Sequence, residues 1–161
     1  MRYKKQRDKF RCGPVAIQNA LRWAGYDADL NKICLEVGCV YPENIGTWPE
    51  QLDPGLRFFG KDIFSIKKII YPTVKQLKEH LFSGGAIIFR VTYTRNGEVW
   101  GHYTLIDLIS DNGKRIRTVN LEAEGRAIKW VNRKNFTKEY CVRRKDPNQS
   151  LGWFLRKKNA N

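Results

Sequence analysis

The chain has 161 residues, 42% of them hydrophobic, and a formal net charge of +14 at pH 7. This length and apolar content predict one domain over residues 1–161, large enough to bury a core. No apolar run approaches the ~20 residues of a membrane-spanning helix, which excludes that class of membrane protein. The basic N-terminal stretch lacks the apolar segment of a secretory signal, so we expect a cytoplasmic protein.

The positive charge is concentrated at the two ends of the chain. Residues 1–11 carry six Lys/Arg and one acid (+5), residues 126–161 carry eleven and two (+9), and residues 12–125 carry thirteen of each. If both ends lie on one face, they form a patch suited to a polyanion, either a nucleic acid or an acidic protein. The alternative is a basic surface that only keeps the protein soluble.

The first half of the chain has the pattern of helices. Apolar residues at helical spacing between Pro14 and Gly25 predict a helix over 13–23. Further helices are predicted at 29–37, at 47–60 with Thr47 as its cap, and at 74–82 with Thr73 as its cap, and a short strand at 63–69. Pro54 is expected to bend or split the third helix.

The second half has the pattern of strands. They are predicted at 86–92, 99–109, 115–120, 126–131, 140–144 and 153–157, with a turn or short helix at 132–136 and a hairpin turn at Arg95-Asn96-Gly97. Helices followed by an antiparallel sheet indicate an α+β fold.

Cys12 lies at the predicted start of the first helix. The free N–H groups and the dipole of a helix N-terminus stabilise a thiolate, so we expect a lowered pKa and a reactive cysteine. A nucleophilic cysteine needs a base, and the chain has two histidines. His102, on a predicted strand, is the better candidate, because His80 lies on an amphipathic helix and is expected at the surface.

The other cysteines show no metal-binding pattern. Cys34, Cys39 and Cys141 form no paired CxxC spacing with Cys12, and only two histidines accompany them. We therefore expect no zinc site and no cofactor. In a cytosol the thiols are expected to be reduced.

These motifs resemble a known family. Gln6, separated by five residues from Cys12-Gly13-Pro14, the helix that follows, and a later Gly101-His102-Tyr103 on a strand are similar to papain-like cysteine peptidases. The closest group is the bacteriocin-processing, double-glycine (C39-like) peptidases, and the segment GTWPEQLDPGLRFFG at 46–60 resembles the second helix of that group. The resemblance covers residues 6–120 and implies a papain-like fold, with the cysteine helix packed on the histidine sheet.

The resemblance also implies roles for individual residues. Cys12 is the nucleophile, His102 the base, and Gln6 the oxyanion donor, for which acyl chemistry requires a polar N–H. Asn120 takes the place of the residue that orients the histidine. Trp48 and Trp100 flank these segments and are candidates for lining a substrate cleft.

The hairpin before Asn120 decides whether it reaches His102. A three-residue loop at Asp111-Asn112-Gly113 pairs Thr104 with Asn120 and places Asn120 on the face of His102. A two-residue turn shifts the register by one and moves Asn120 to the other face. Glu122 shares the face of Asn120 and is the alternative orienting residue.

Two functions follow from these patterns. The first is a thiol hydrolase, most simply a cysteine peptidase acting on peptide or isopeptide bonds, although the same machinery serves transglutaminases, deamidases and acyltransferases. The second is a module of the same fold, with little or no catalysis, that binds a nucleic acid or an acidic partner through its basic ends. The small size and basic charge would suit a phage or viral protein.

Overall fold

The structure is a computed structural model that describes residues 2–39, 46–95, 98–122, 126–140 and 150–158. The described helices are α1 (Cys12–Ala24), α2 (Leu30–Glu36), α3 (Pro49–Gly60), α4 (Val74–Phe82) and α5 (Arg133–Tyr140). The described strands are β1 (Phe64–Ile70), β2 (Ala86–Arg95), β3 (Glu98–Ile109), β4 (Arg115–Val119), β5 (Ile128–Asn132) and β6 (Leu151–Lys157). The predicted α+β class is confirmed. The expected turn at Asn96-Gly97 and the expected strand after Tyr140 lie outside the described residues.

The six described strands form one antiparallel sheet in the order β1-β6-β2-β3-β4-β5. One face packs against α1, α2 and α3, and its core includes Ile17, Leu56, Ile88 and Trp153. The other face packs against α4 and α5. Neighbouring residues of a strand point to opposite faces, so both faces of β2 and β3 are apolar and buried.

Local capping signals set most helix ends. Gly25 ends α1 in the left-handed region with φ 101°. Thr73 caps α4 through a reciprocal pair of hydrogen bonds with Gln76, at 3.2 and 2.8 Å. These two boundaries follow the sequence prediction.

The start of α3 differs from the prediction. Trp48, rather than Thr47, is the residue that precedes the helix, and its backbone N–H donates to the Gln51 side chain at 2.8 Å. Thr47 is instead buried against α1, where it fills the space beside Gly13. Pro54 lies within α3 without splitting it.

The connection between β3 and β4 is longer than the expected three-residue loop. The Ser110 N–H donates to the Arg115 carbonyl oxygen at 2.9 Å, so four residues, 111–114, connect the strands. Gly113 has a φ of 65°, in the left-handed region that glycine adopts without strain.

A β-bulge in β3 compensates for the longer loop. Near the turn Leu108 opposes Arg117, but beyond Asp107 the register shifts and Leu105 opposes Val119. One extra residue on a strand displaces all later pairs by one. The register at the far end of β4 is therefore the predicted one.

Candidate active site

Cys12 is the first residue of α1 and is buried, with 6% of its surface exposed. Burial raises the pKa of its thiol to about 11, because a thiolate would lose its solvation. Backbone N–H groups of Tyr103, Gly13 and Cys12 favour the thiolate but do not offset this effect. The expected lowering of the Cys12 pKa is therefore wrong for this structure, in which Cys12 is a neutral thiol at pH 7.

His102 is buried in β3, and its ring makes one hydrogen bond to the backbone of Asn120. The distance from Nε2 to the Asn120 carbonyl oxygen is 2.6 Å. A carbonyl oxygen only accepts, so the neutral ring carries its proton on Nε2 and leaves the lone pair on Nδ1. Burial lowers the pKa of His102, which also favours the neutral ring. A neutral imidazole with a lone pair on Nδ1 is a competent general base.

Asn120 follows β4 in the left-handed region, with φ 55°. Its N–H donates to the Ala127 carbonyl oxygen at 2.7 Å. Its side chain faces the N-terminal segment, where Nδ2 donates to the Lys4 carbonyl oxygen (2.9 Å) and Oδ1 accepts from the Gln6 N–H (3.2 Å). Asn120 thus contacts His102 through its carbonyl group, whereas the sequence argument assumed its side chain.

Glu122, the alternative orienting residue, lies at the surface. Its carboxylate pairs with Lys129 Nζ at 2.8 Å, and 59% of its side chain is exposed. Glu122 is therefore engaged away from the His102 ring, which contacts the Asn120 carbonyl group instead.

Gln6 is buried, with 1% of its surface exposed. Its Nε2 donates one hydrogen to the Asp8 carbonyl oxygen, and the amide has a second N–H. The Asp8 carboxylate accepts the backbone N–H groups of Phe10 and Arg11, at 2.9 and 2.8 Å. This turn leads directly into Cys12, so the Gln6 amide lies against the loop that precedes the nucleophile.

Two anchors of the N-terminal segment were missed by the sequence analysis. Asn19 in α1 holds both backbone groups of Lys4, with Oδ1 2.7 Å from its nitrogen and Nδ2 2.9 Å from its oxygen. The Tyr3 hydroxyl donates to Asp107, the residue at the β-bulge, which also pairs with Arg117. A buried asparagine amid the apolar positions of α1 was the one available signal for the first anchor.

A cleft of about 360 Å³ lies beside the start of α1. Trp48 and Trp100 both line it, and they are 59% and 50% exposed. Its floor includes the buried Arg90 and Tyr103. Thr47 lines the cleft and also packs tightly against Gly13, the residue after Cys12. A Cβ atom added to Gly13 would lie only 2.6 Å from the Thr47 Cβ.

His80 is not the surface residue that the sequence predicts. It is buried beneath the sheet, with Nε2 3.0 and 3.1 Å from the carbonyl oxygens of Leu155 and Ala86. These contacts place it with α4, on the face of the sheet away from α1. Its role is structural.

Comparison with solved structures identifies the fold. The peptidase domain of Streptococcus ComA, a bifunctional ABC transporter involved in quorum sensing, superposes with a TM-score of 0.64 and 14% identity, covering 96% of this chain and 98% of that domain. A double-glycine motif protease from an AMS/PCAT transporter, solved in complex with a leader peptide, gives a TM-score of 0.64 and 13% identity, covering 96% and 90%. The chain has the papain-like fold of the double-glycine peptidase domains.

Sequence comparison adds nothing to this fold assignment, because no family model matches the chain and no curated protein is significantly similar to it. The papain-like fold of the double-glycine peptidases, which the motifs around Cys12 and His102 predict, is confirmed by the comparison of structures alone. Within the described part of the chain, none of the helices has the length and apolar character needed to cross a membrane.

The raised pKa of Cys12 makes a prediction about its reactivity. Alkylation by iodoacetamide is expected to be slow at pH 7 and to increase with pH up to about 11, because only the thiolate reacts. Mass spectrometry of the tryptic peptide 12–22 measures the rate. A Cys12 that is fully reactive below pH 7 would show that its thiolate is stabilised in spite of burial.

Proposed function

We propose that the protein is a cysteine peptidase, a thiol hydrolase that uses Cys12 and His102 on peptide or isopeptide bonds. The observation that carries the proposal is the His102 tautomer, in which the Asn120 carbonyl group takes the Nε2 proton and leaves Nδ1 free to accept another. Cys12 at a helix start, the neighbouring Tyr103 and the cleft beside them complete the arrangement.

The reaction begins from neutral partners. Among the described residues, no hydrogen bond joins the Cys12 thiol to the His102 ring; in free enzymes such bonds are often long and form only with substrate bound. As the Cys12 sulfur attacks the substrate carbonyl carbon, His102 Nδ1 takes the thiol proton. The imidazolium then protonates the leaving amine, and a water activated by His102 hydrolyses the thioester.

Negative charge on the carbonyl oxygen is stabilised by two donors. The backbone N–H of Cys12 is one, at the positive end of α1. The second N–H of the Gln6 amide is the other. Anchors from Asn120 and Asn19 hold the segment that carries Gln6, so this donor is in place before substrate binds. One such donor contributes about 3 kcal/mol.

The substrate is proposed to be an extended peptide. The AMS/PCAT protease with a similar fold was solved with a leader peptide. In this chain, the indoles of Trp48 and Trp100 stand at the mouth of the cleft and offer apolar surface to substrate side chains.

The proposal is tested by incubating the protein with a complex peptide mixture and identifying new termini by mass spectrometry. Cys12→Ala and His102→Ala are expected to lower the cleavage rate by about 10³-fold or more. Gln6→Ala should lower it by about 10²-fold. Gln18→Ala is the matched control. It removes another buried glutamine, whose Nε2 donates a hydrogen bond to the Ala28 carbonyl oxygen.

Cleavage that persists in Cys12→Ala would contradict the mechanism. The same mixture also distinguishes the related acyl-transfer enzymes. A deamidase converts glutamine side chains to glutamate without new termini, and a transglutaminase or acyltransferase joins the acyl group to an added amine. Either product would be consistent with an acyl-enzyme on Cys12, but the protein would then be an acyl-transfer enzyme or a deamidase rather than a peptidase.

We infer a second function, polyanion binding, from the position of the basic ends. Both reach the C-terminal part of α1: Arg22 Nη1 donates to the Arg2 carbonyl oxygen at 2.8 Å, and Lys157 Nζ lies 4.8 Å from the Trp23 ring centroid. A groove of about 640 Å³ on the same side of the sheet is lined by five basic and three acidic side chains, namely Lys4, Lys5, Arg7, Arg11, Arg22, Asp8, Asp27 and Asp29. Lys157 thus joins the N-terminal basic residues on this side and supports a positive surface here, whereas Arg133, Lys134 and Lys138 of the C-terminal segment lie on α5, on the other face of the sheet.

Binding of a fluorescein-labelled single-stranded oligonucleotide tests this second function. Affinity is expected to fall steeply with salt, with a slope of about −0.7 per phosphate contact on a log–log plot. Lys5→Glu with Lys157→Glu should reduce both affinity and slope. Lys75→Glu with Lys78→Glu makes the same charge change on α4, on the other face, and should have little effect. Equal losses from the two pairs would contradict a defined surface.

A further inference from the structure

Two cysteines outside the catalytic set, Cys34 and Cys39, come together at the end of α2. Beyond α2 the chain turns back, and the Cys39 N–H donates to the Cys34 carbonyl oxygen at 2.9 Å. Both side chains are buried and reduced, and each thiol shifts the pKa of the other. Five residues of separation and this backbone hydrogen bond place the two Cβ atoms on the same side of one turn.

The surroundings of the two sulfurs differ. The Cys34 thiol and the Thr47 hydroxyl lie where they favour a thiolate at Cys39 and lower its pKa to about 7, while the effect of Cys39 raises the pKa of Cys34. Asp8 opposes the Cys39 thiolate and Arg11 favours it. Cys39 is therefore the nucleophilic member of the pair, and Cys34 stays protonated.

Thr47 provides a buried hydroxyl beside Cys39. Its Oγ1 is buried, and among the described residues it has no hydrogen-bond partner of normal geometry. The neutral Cys39 thiol instead points to the Phe10 carbonyl oxygen, 3.7 Å from Sγ. When Cys39 ionises, its sulfur becomes an acceptor for the Thr47 hydroxyl, so the buried donor gains a partner.

We propose that Cys39 and Cys34 are a redox-active thiol pair that a hydroperoxide oxidises to an intrachain disulfide. The Cys39 thiolate attacks one peroxide oxygen, the O–O bond breaks, and hydroxide leaves and is protonated to water, which converts Cys39 to a sulfenic acid. The Cys34 sulfur attacks the sulfenic sulfur and loses its proton, and the sulfenic oxygen leaves as a second water. Both sulfurs are oxidised and the peroxide is reduced.

The disulfide also changes the cleft. A disulfide holds its two sulfurs about 2.0 Å apart, so its formation shifts the Cys39 side chain, which lies beside Thr47 and the Phe10 carbonyl group. Thr47 packs on Gly13 beside the nucleophile and lines the cleft. Oxidation is therefore expected to lower cleavage, and this one consequence rests on the proposed peptidase function.

The experiment treats the intact protein with hydrogen peroxide at pH 7, blocks the remaining thiols with iodoacetamide, and digests with trypsin. Cys34 and Cys39 share one tryptic peptide, residues 33–57, while Cys12 lies in 12–22. Peptide 33–57 should become unalkylated and lighter by two hydrogen atoms, and dithiothreitol should reverse this. It should react roughly a hundredfold faster than Cys12, because the thiolate fraction outweighs the lower nucleophilicity of the more acidic thiol.

Two variants separate the roles of the sulfurs. Cys34→Ser should stop at a Cys39 sulfenic acid that dimedone traps, and Cys39→Ser should leave Cys34 fully alkylated. Oxidation of Cys12 before peptide 33–57, or a Cys34 that oxidises equally fast in Cys39→Ser, would overturn the proposal. Disulfide formation is read from the mass of peptide 33–57, so this test does not depend on peptidase activity. If the disulfide forms but the reduced protein cleaves no peptide, only the peptidase assignment is contradicted.

Discussion

The site depends on the left-handed turn at Asn120. This turn ends β4, aims the Asn120 carbonyl group at His102 Nε2, and leaves the Asn120 side chain free to bind the backbone of Lys4 and Gln6. Asparagine adopts positive φ more readily than most residues, and its amide can donate and accept at the same time. One residue thereby sets the tautomer of the base and the position of the oxyanion donor.

Burial decides the resting protonation states of Cys12 and His102, the proposed catalytic pair. Removal from water raises the pKa of the Cys12 thiol and lowers that of the His102 ring, so a thiolate–imidazolium pair is disfavoured in the free protein. The helix N-terminus acts in the opposite direction but is the weaker influence here. Proton transfer is therefore coupled to attack on the substrate, which protects a buried thiol from unselective reaction. Cys39 is the more acidic thiol although it is buried as well, because the Cys34 thiol and the Thr47 hydroxyl favour its thiolate.

Local features were predictable from the sequence, and tertiary ones were not. Gly25 and Thr73 end or begin helices through contacts within a few residues, so their roles were visible in the pattern. The bulge at Asp107 exists because its carboxylate is buried between Tyr3 and Arg117, which are distant in sequence. The sign of the Cys12 pKa shift likewise depends on what covers the thiol. The sequence argument expected Asn120 to meet His102 through its side chain, whereas its carbonyl group makes the contact, because a sequence pattern does not reveal a positive φ.

The central claim is that the Asn120 carbonyl group fixes the tautomer of His102. The most direct measurement is the ¹⁵N NMR spectrum of the histidine rings at pH 7, assigned with a His102→Gln variant. The account predicts a neutral His102 ring with its proton on Nε2 and an unprotonated Nδ1. A ring protonated on Nδ1, or a charged ring at this pH, would contradict it, since neither leaves a lone pair on the nitrogen that must accept the Cys12 proton.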